Sequence, residues 1–120
     1  MNIKLKINPL SVNKAWRGRK FKTKAYEIFE RDVANSLPFY EGEEITKSEV
    51  FVYYIFYVKN YGNADTFNME KTLSDMLVKR GYLKDDRYIR AGYVRKERVK
   101  EYADERIEIK ISPYTGQDIL

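Results

Sequence analysis

The 120-residue sequence contains no cysteine and no histidine. Without cysteine there are no disulfide staples, no thiol nucleophile and no Cys-type zinc site. Without histidine there is no Ser-His-Asp triad, no imidazole proton shuttle and no His-ligated metal. Any catalysis must therefore use carboxylates, lysine, tyrosine, or a hard cation held by oxygen. Long apolar runs are missing too. The longest, Val50 to Val58, is too short to span a bilayer as a helix. The N-terminus alternates apolar and charged residues, unlike a signal peptide or anchor. These features predict a cytoplasmic protein with no membrane partner.

Apolar residues make up 43% and aromatic residues 15% of the chain, enough for a packed core. The length suits one domain over residues 1–120, or half of a symmetric dimer, with residues 113–120 expected as a loose tail. The formal net charge is +5. It is concentrated in one segment: Lys14, Arg17, Arg19, Lys20, Lys22 and Lys24, with no acid among them and Trp16 and Phe21 interleaved. This composition predicts a loop that tracks phosphates and stacks on an exposed base. A solvated loop without a ligand is the alternative.

Patterning predicts a small single α/β domain, a mixed β-sheet packed with two α-helices in the order β-α-β-α-β-β. Residues 2–8 alternate as a strand, with Ile3, Leu5 and Ile7 on one face, and Pro9 ends it. Thr23 can cap a helix over 24–36 whose inward stripe is Tyr26, Phe29 and Val33. Residues 49–59 are apolar on both faces, as in a central strand covered on both sides. A second helix is expected from Phe67 to Arg80, burying Met69, Leu73, Met76 and Leu77, with Gly81 just past its end. Residues 88–99 and 104–112 read as an antiparallel pair.

The chemistry-bearing residues gather around that second helix. Asp65 lies at its start, Lys71 on the face away from the apolar stripe, and Asp85 and Asp86 after its end. Asp65 and Asp86 meet only if the strand following Asp86 returns beside the central strand. If they meet, they form an all-oxygen site suited to Mg2+, and a basic loop beside it points to phosphodiester hydrolysis. Taken singly, Asp65 also reads as a helix cap, Asp85-Asp86 as turn residues and Lys71 as a solvated lysine.

The pattern Asp65-x-x-Asn68-x-x-Lys71, then Asp75-Met76-Leu77, Gly81-Tyr82 and Asp85-Asp86, resembles the RusA family of phage and prophage endonucleases that resolve Holliday junctions. Pro9-Leu10-Ser11-Val12-Asn13 resembles that family's stretch before its basic loop, and Glu105 to Ile111 its closing strand. The resemblance implies a homodimeric, Mg2+-dependent endonuclease, with Mn2+ as a substitute ion, that nicks four-way DNA junctions in pairs. It implies Asp65 and Asp86 as metal-binding carboxylates, Lys71 as the catalytic lysine and Asn68 beside the site. One position departs from the pattern: Phe67 stands where the family carries a second aspartate. Glu70 or Asp85 can supply that oxygen, or the chain is a junction-binding protein without cleavage, or the correspondence with the family pattern is locally shifted. Phe67 itself reads as a packing residue, with an aromatic wedge at the junction as the alternative. Basic and aromatic content alone would also fit a small RNA-binding module.

Overall fold

The computed structural model describes residues 1–9, 16–17, 21–22, 24–42, 49–60 and 66–114. It has the elements β1 (Asn2–Leu5), β2 (Trp16–Arg17), β3 (Phe21–Lys22), α1 (Lys24–Ser36), β4 (Val50–Val58), α2 (Thr66–Lys79), β5 (Ile89–Arg98) and β6 (Arg106–Pro113). Four strands form one sheet in the order β1-β6-β4-β5, and β2 and β3 form a separate antiparallel ribbon. The predicted α/β class and the two helices stand. The ribbon is an addition to the plain loop expected over residues 14–24. Trp16 pairs with Lys22 and Arg17 with Phe21, so these residues of the basic segment form antiparallel strands.

The helix α1 follows from spacing. Tyr26, Phe29 and Val33 lie three and four residues apart, and all three are buried. Pro38, following the buried Leu37, prevents further helix. Thr23, the expected cap, lies outside the described residues. In α2, Met69, Leu73 and Leu77 are fully buried at the same period. Met76, expected beside them, is only half-buried at the core's margin. The α2 C-terminus closes as predicted on Gly81, whose φ of 83° lies in the left-handed region. The Tyr82 amide donates to the Leu77 carbonyl at 2.9 Å and the Gly81 amide to Val78 at 3.1 Å. These two bonds cap the last turn's carbonyls.

The strand β4 is the axis of the sheet. Val50, Val52, Tyr54, Phe56 and Val58 are all buried on the helix-facing side. The other side departs from the expectation of full cover. Ile55 is buried there, but Phe51, Tyr53 and Tyr57 are only half-buried. That face is an aromatic layer, with Tyr53 5.0 Å from the Tyr93 ring and the Arg106 guanidinium 3.7 Å over Tyr57.

Strands β5 and β6 do not pair with each other, contrary to the sequence expectation. β5 runs parallel to β4, and β6 lies antiparallel on β4's other edge. Burial explains the order. Ile107, Ile109 and Ile111 of β6 are fully buried and need an interior lane between β1 and β4. Arg90, Arg95, Lys96 and Arg98 give β5 the cationic character of an edge that discourages further pairing. The β5–β6 connection therefore crosses the end of β4. It is fixed by Glu105, a buried carboxylate that accepts from Asn8 Nδ2 at 2.8 Å and from the Lys59 amide at 2.9 Å. The strand β6 also runs further than expected: Pro113 pairs with Val50, and the Tyr114 amide donates to Glu49. Among the described residues no helix is long and apolar enough to cross a membrane.

Gly81→Ala should lower the free energy of unfolding by about 1 kcal/mol, because a side chain is strained at positive φ. A β-carbon there meets nothing within 4 Å, so the loss is conformational and not steric. Urea unfolding checks this, with Gly92→Ala as the control that shows no such loss.

Candidate active site

The site is read from the first turns of α2 and the approach to β5. Asp65 lies outside the described residues. Thr66, Phe67 and Asn68 form the first turn of α2, and Asp86 opens a short 3-10 turn, Asp86–Tyr88, that leads into β5. Lys71 is exposed on α2, on the face away from Met69, Leu73 and Leu77, as predicted. The strand after Asp86 does return beside β4, but parallel to it, so that Ile89 pairs with Val50 at the start of β4 whereas Asp65 follows the end of β4 in the chain.

Glu70 links the start of α2 to the start of β5. It lines one groove with Ile89, Gly92, Tyr93 and Val94 of β5 and with Tyr54 of β4. Glu70 is five residues after Asp65, and Ile89 is three after Asp86. The groove thus lies between α2 and the first half of β5.

A buried hydrogen-bond chain fixes the Glu70 carboxylate. Ser74 Oγ donates to Glu70 Oε1 at 2.9 Å, and Tyr54 Oη lies 2.6 Å from Ser74 Oγ. A serine hydroxyl carries one hydrogen. With that hydrogen on Glu70, the Tyr54 hydroxyl is the donor to Ser74. Burial pushes the Tyr54 phenol far above its ordinary pKa, so it keeps its proton. Sequence reasoning missed both partners. Ser74 is four residues beyond Glu70 and on the same helix face, a signal present in the spacing. Tyr54 comes from a strand, and no pattern in the sequence joins it to them.

Asp85 serves a different place. Its Oδ1 accepts the Arg87 amide at 3.0 Å, and its Oδ2 lies 3.7 Å from Arg87 Nε. It lines a separate recess with Asp75, Val78 and Lys79. Glu70 and Asp85, the two sequence candidates for an additional oxygen, thus border different cavities. Among the described residues no three His, Cys, Asp or Glu side chains converge as a metal cluster.

Of the basic segment, Arg17 and Trp16 stand on β2, Lys22 on β3 and the exposed Lys24 at the first position of α1. Lys14, Arg19 and Lys20 lie outside the described residues. Arg17 and Lys22 thus stand on a paired scaffold.

A comparison with protein families matches residues 6–112 to the family described as Endodeoxyribonuclease RusA. No individual curated protein matches the chain. The match takes in β2 and β3, both helices, β4, β5 and nearly all of β6, together with the segment from Asp65 to Asp86. The chain therefore belongs to the RusA family of Holliday junction endonucleases.

Proposed function

We propose that this chain resolves four-way DNA junctions by Mg2+-dependent phosphodiester hydrolysis, acting as a homodimer with Asp65, Lys71 and Asp86 at each site. The observation that supports this most directly is the family match over residues 6–112, which takes in Asp65, Lys71 and Asp86. The donor set fits the ion. A chain without histidine or cysteine offers oxygen ligands alone, which suits a hard cation. Mg2+ needs one or two carboxylates and keeps several waters, so Asp65 and Asp86 suffice even with Phe67 in place of a third. Mn2+ can take the same ligands.

When bound, the ion supplies Lewis acidity at the scissile phosphate and an acidified water. Asp65 and Asp86 hold it. The Lys71 ammonium, exposed on α2, faces the phosphate and balances the charge that grows on its oxygens. Asn68 sits in the first turn of the helix, beside the site. The basic segment, with Lys14, Trp16, Arg17, Arg19, Lys20, Lys22 and Lys24, takes the flanking phosphates. Paired nicks in two strands of like polarity need two sites, and a two-fold homodimer provides them.

A second reading, a junction-binding protein that does not cut, rests on Phe67. One assay separates the two. Purified protein is incubated with a four-way junction, a linear duplex and single strands, with and without Mg2+. Junction-selective cutting that requires Mg2+ supports the enzyme, and junction binding without cutting supports the alternative.

Asp86→Asn should abolish cleavage while leaving junction binding intact or tighter, since it removes a negative charge near phosphate. Lys71→Ala should slow cleavage by about a hundredfold or more with a smaller effect on metal affinity. Normal cutting by both variants would make residues 65–86 a structural unit and not a site.

Replacing Arg17, Arg19 and Lys20 together should weaken junction binding and reduce the slope of log K against log salt by about 0.9 for each phosphate no longer neutralised. An unchanged slope places the DNA elsewhere. Light scattering at micromolar concentration should give a dimer, and a monomer that binds one junction per chain would remove the two-site scheme.

A further inference from the structure

Resting on the DNA-cleaving reading above, we infer that the groove between α2 and β5 is a pocket for a single unpaired nucleobase bearing an amino group, recognised by Glu70. The groove has a volume of about 250 Å³. Pockets for drug-sized ligands begin near 300 Å³ and extend to about 1,000 Å³, so this one takes a single flat ring system. Its side chains include Tyr54, Ile89 and Val94, apolar over most of their surface, and among the described residues Glu70 is its one charged group. Such a lining favours a ligand that is planar and apolar on its faces and carries a hydrogen-bond donor on its edge.

The carboxylate is set for one partner. Its Oε1 already accepts from Ser74, and Ser74 is held by the hydroxyl of Tyr54, a residue only 1% exposed. A carboxylate so anchored has one oxygen directed by the other's bond, and an ionised carboxylate accepts and cannot donate. Cytosine, adenine and guanine carry exocyclic amino groups that donate to such an acceptor. Thymine carries none: its one ring N–H lies between two carbonyl oxygens, and those repel the carboxylate.

The second observation is the glycine in the groove's wall. Gly92 shares the helix-facing side of β5 with Val94, which is 38% exposed. A β-carbon at Gly92 would meet the Val52 carbonyl at 3.5 Å, an ordinary contact, and the glycine's φ is not positive. Neither sterics nor backbone geometry therefore calls for glycine here, in a strand where glycine is weakening. What the missing side chain preserves is the open space beside Ile89 and Val94. A four-way junction supplies the ligand at low cost, because the bases flanking the branch point are already partly unstacked and extrusion is least costly there.

The test uses junctions identical except for one branch-point base, which is cytosine, adenine, thymine or an abasic site. Binding is measured by fluorescence anisotropy without divalent metal, so that no strand is cut. The expected result is tighter binding of the cytosine and adenine junctions, by about tenfold over thymine and the abasic site, as for one hydrogen bond to a charged acceptor. Gly92→Val, which fills the groove with a residue favoured in strands, should reduce that preference to about twofold or less while the urea midpoint holds or rises. Glu70→Gln, whose amide can donate as well as accept, should erase the discrimination against thymine while leaving Mn2+ affinity unchanged. Equal binding of all four junctions by the native protein overturns the inference and leaves the nuclease reading standing. So does a base preference that survives in both variants. A fall in Mn2+ affinity with Glu70→Gln makes Glu70 a metal ligand and also overturns it. A native protein that binds no junction removes both readings together.

Discussion

The whole molecule is built to cover one strand. β4 carries nine residues with no charge among them, and five of its side chains are buried against the helices. Each buried aliphatic or aromatic side chain contributes about 1.5–3 kcal/mol through removal from water. Such a strand cannot lie at an edge, since its backbone groups and both rows of side chains need partners. β6 takes one flank and β5 the other, while α1 and α2 close the helix-facing side. The parallel pairing of β4 and β5 requires a crossover, and α2 is that crossover. The helix that carries Lys71 and Glu70 is thus where it is because β4 needs a roof.

Polar chemistry enters the core where the Tyr26 and Thr72 hydroxyls lie 2.7 Å apart, and along one further route. Tyr54, Ser74 and Glu70 form a chain that begins in the sheet and ends in the groove. Among the described residues no buried side-chain polar atom lacks a partner, so this chain is fully satisfied. Full satisfaction makes such a network rigid and specific, whereas a partial one would be costly. Glu105 plays a matching structural part at the other end of β4, with both carboxylate oxygens engaged. The two carboxylates illustrate a difference of use. One binds only its own protein and closes a chain crossing, while the other belongs to a residue that lines a cavity.

The helices and their stripes are readable in the sequence because period and burial coincide. Tyr26, Phe29 and Val33 are apolar, correctly spaced and without competing roles, and α1 begins and ends at the expected residues. The same logic places Lys71 on the outer face of α2. Strand neighbours are harder. Alternation reports which face a residue occupies and carries no information about which strand lies alongside, so β5 and β6 look like a hairpin. The three isoleucines of β6 and the four cations of β5 hold the answer, as an interior lane and an edge. The groove is invisible for another reason. It is defined by the side chain that Gly92 does not have and by Tyr54, which reaches Ser74 across layers. Hydrogen bonds between a strand and a helix 20 residues apart leave no periodic trace.

The position of β6 has a consequence for how the chain acquires its shape. β6 joins β1 to β4, two strands that do not touch each other, yet among the described strands it is made last. Its pairing with β1 closes a loop of about a hundred residues, and such distant contacts form slowly. During synthesis, β1 therefore has no sheet to join until β6 emerges, and one flank of β4 stays bare for the same interval. An apolar strand with an open flank is a template for other chains, so the protein is most vulnerable to aggregation before β6 docks. The cations along β5 guard the edge that is already formed during that wait.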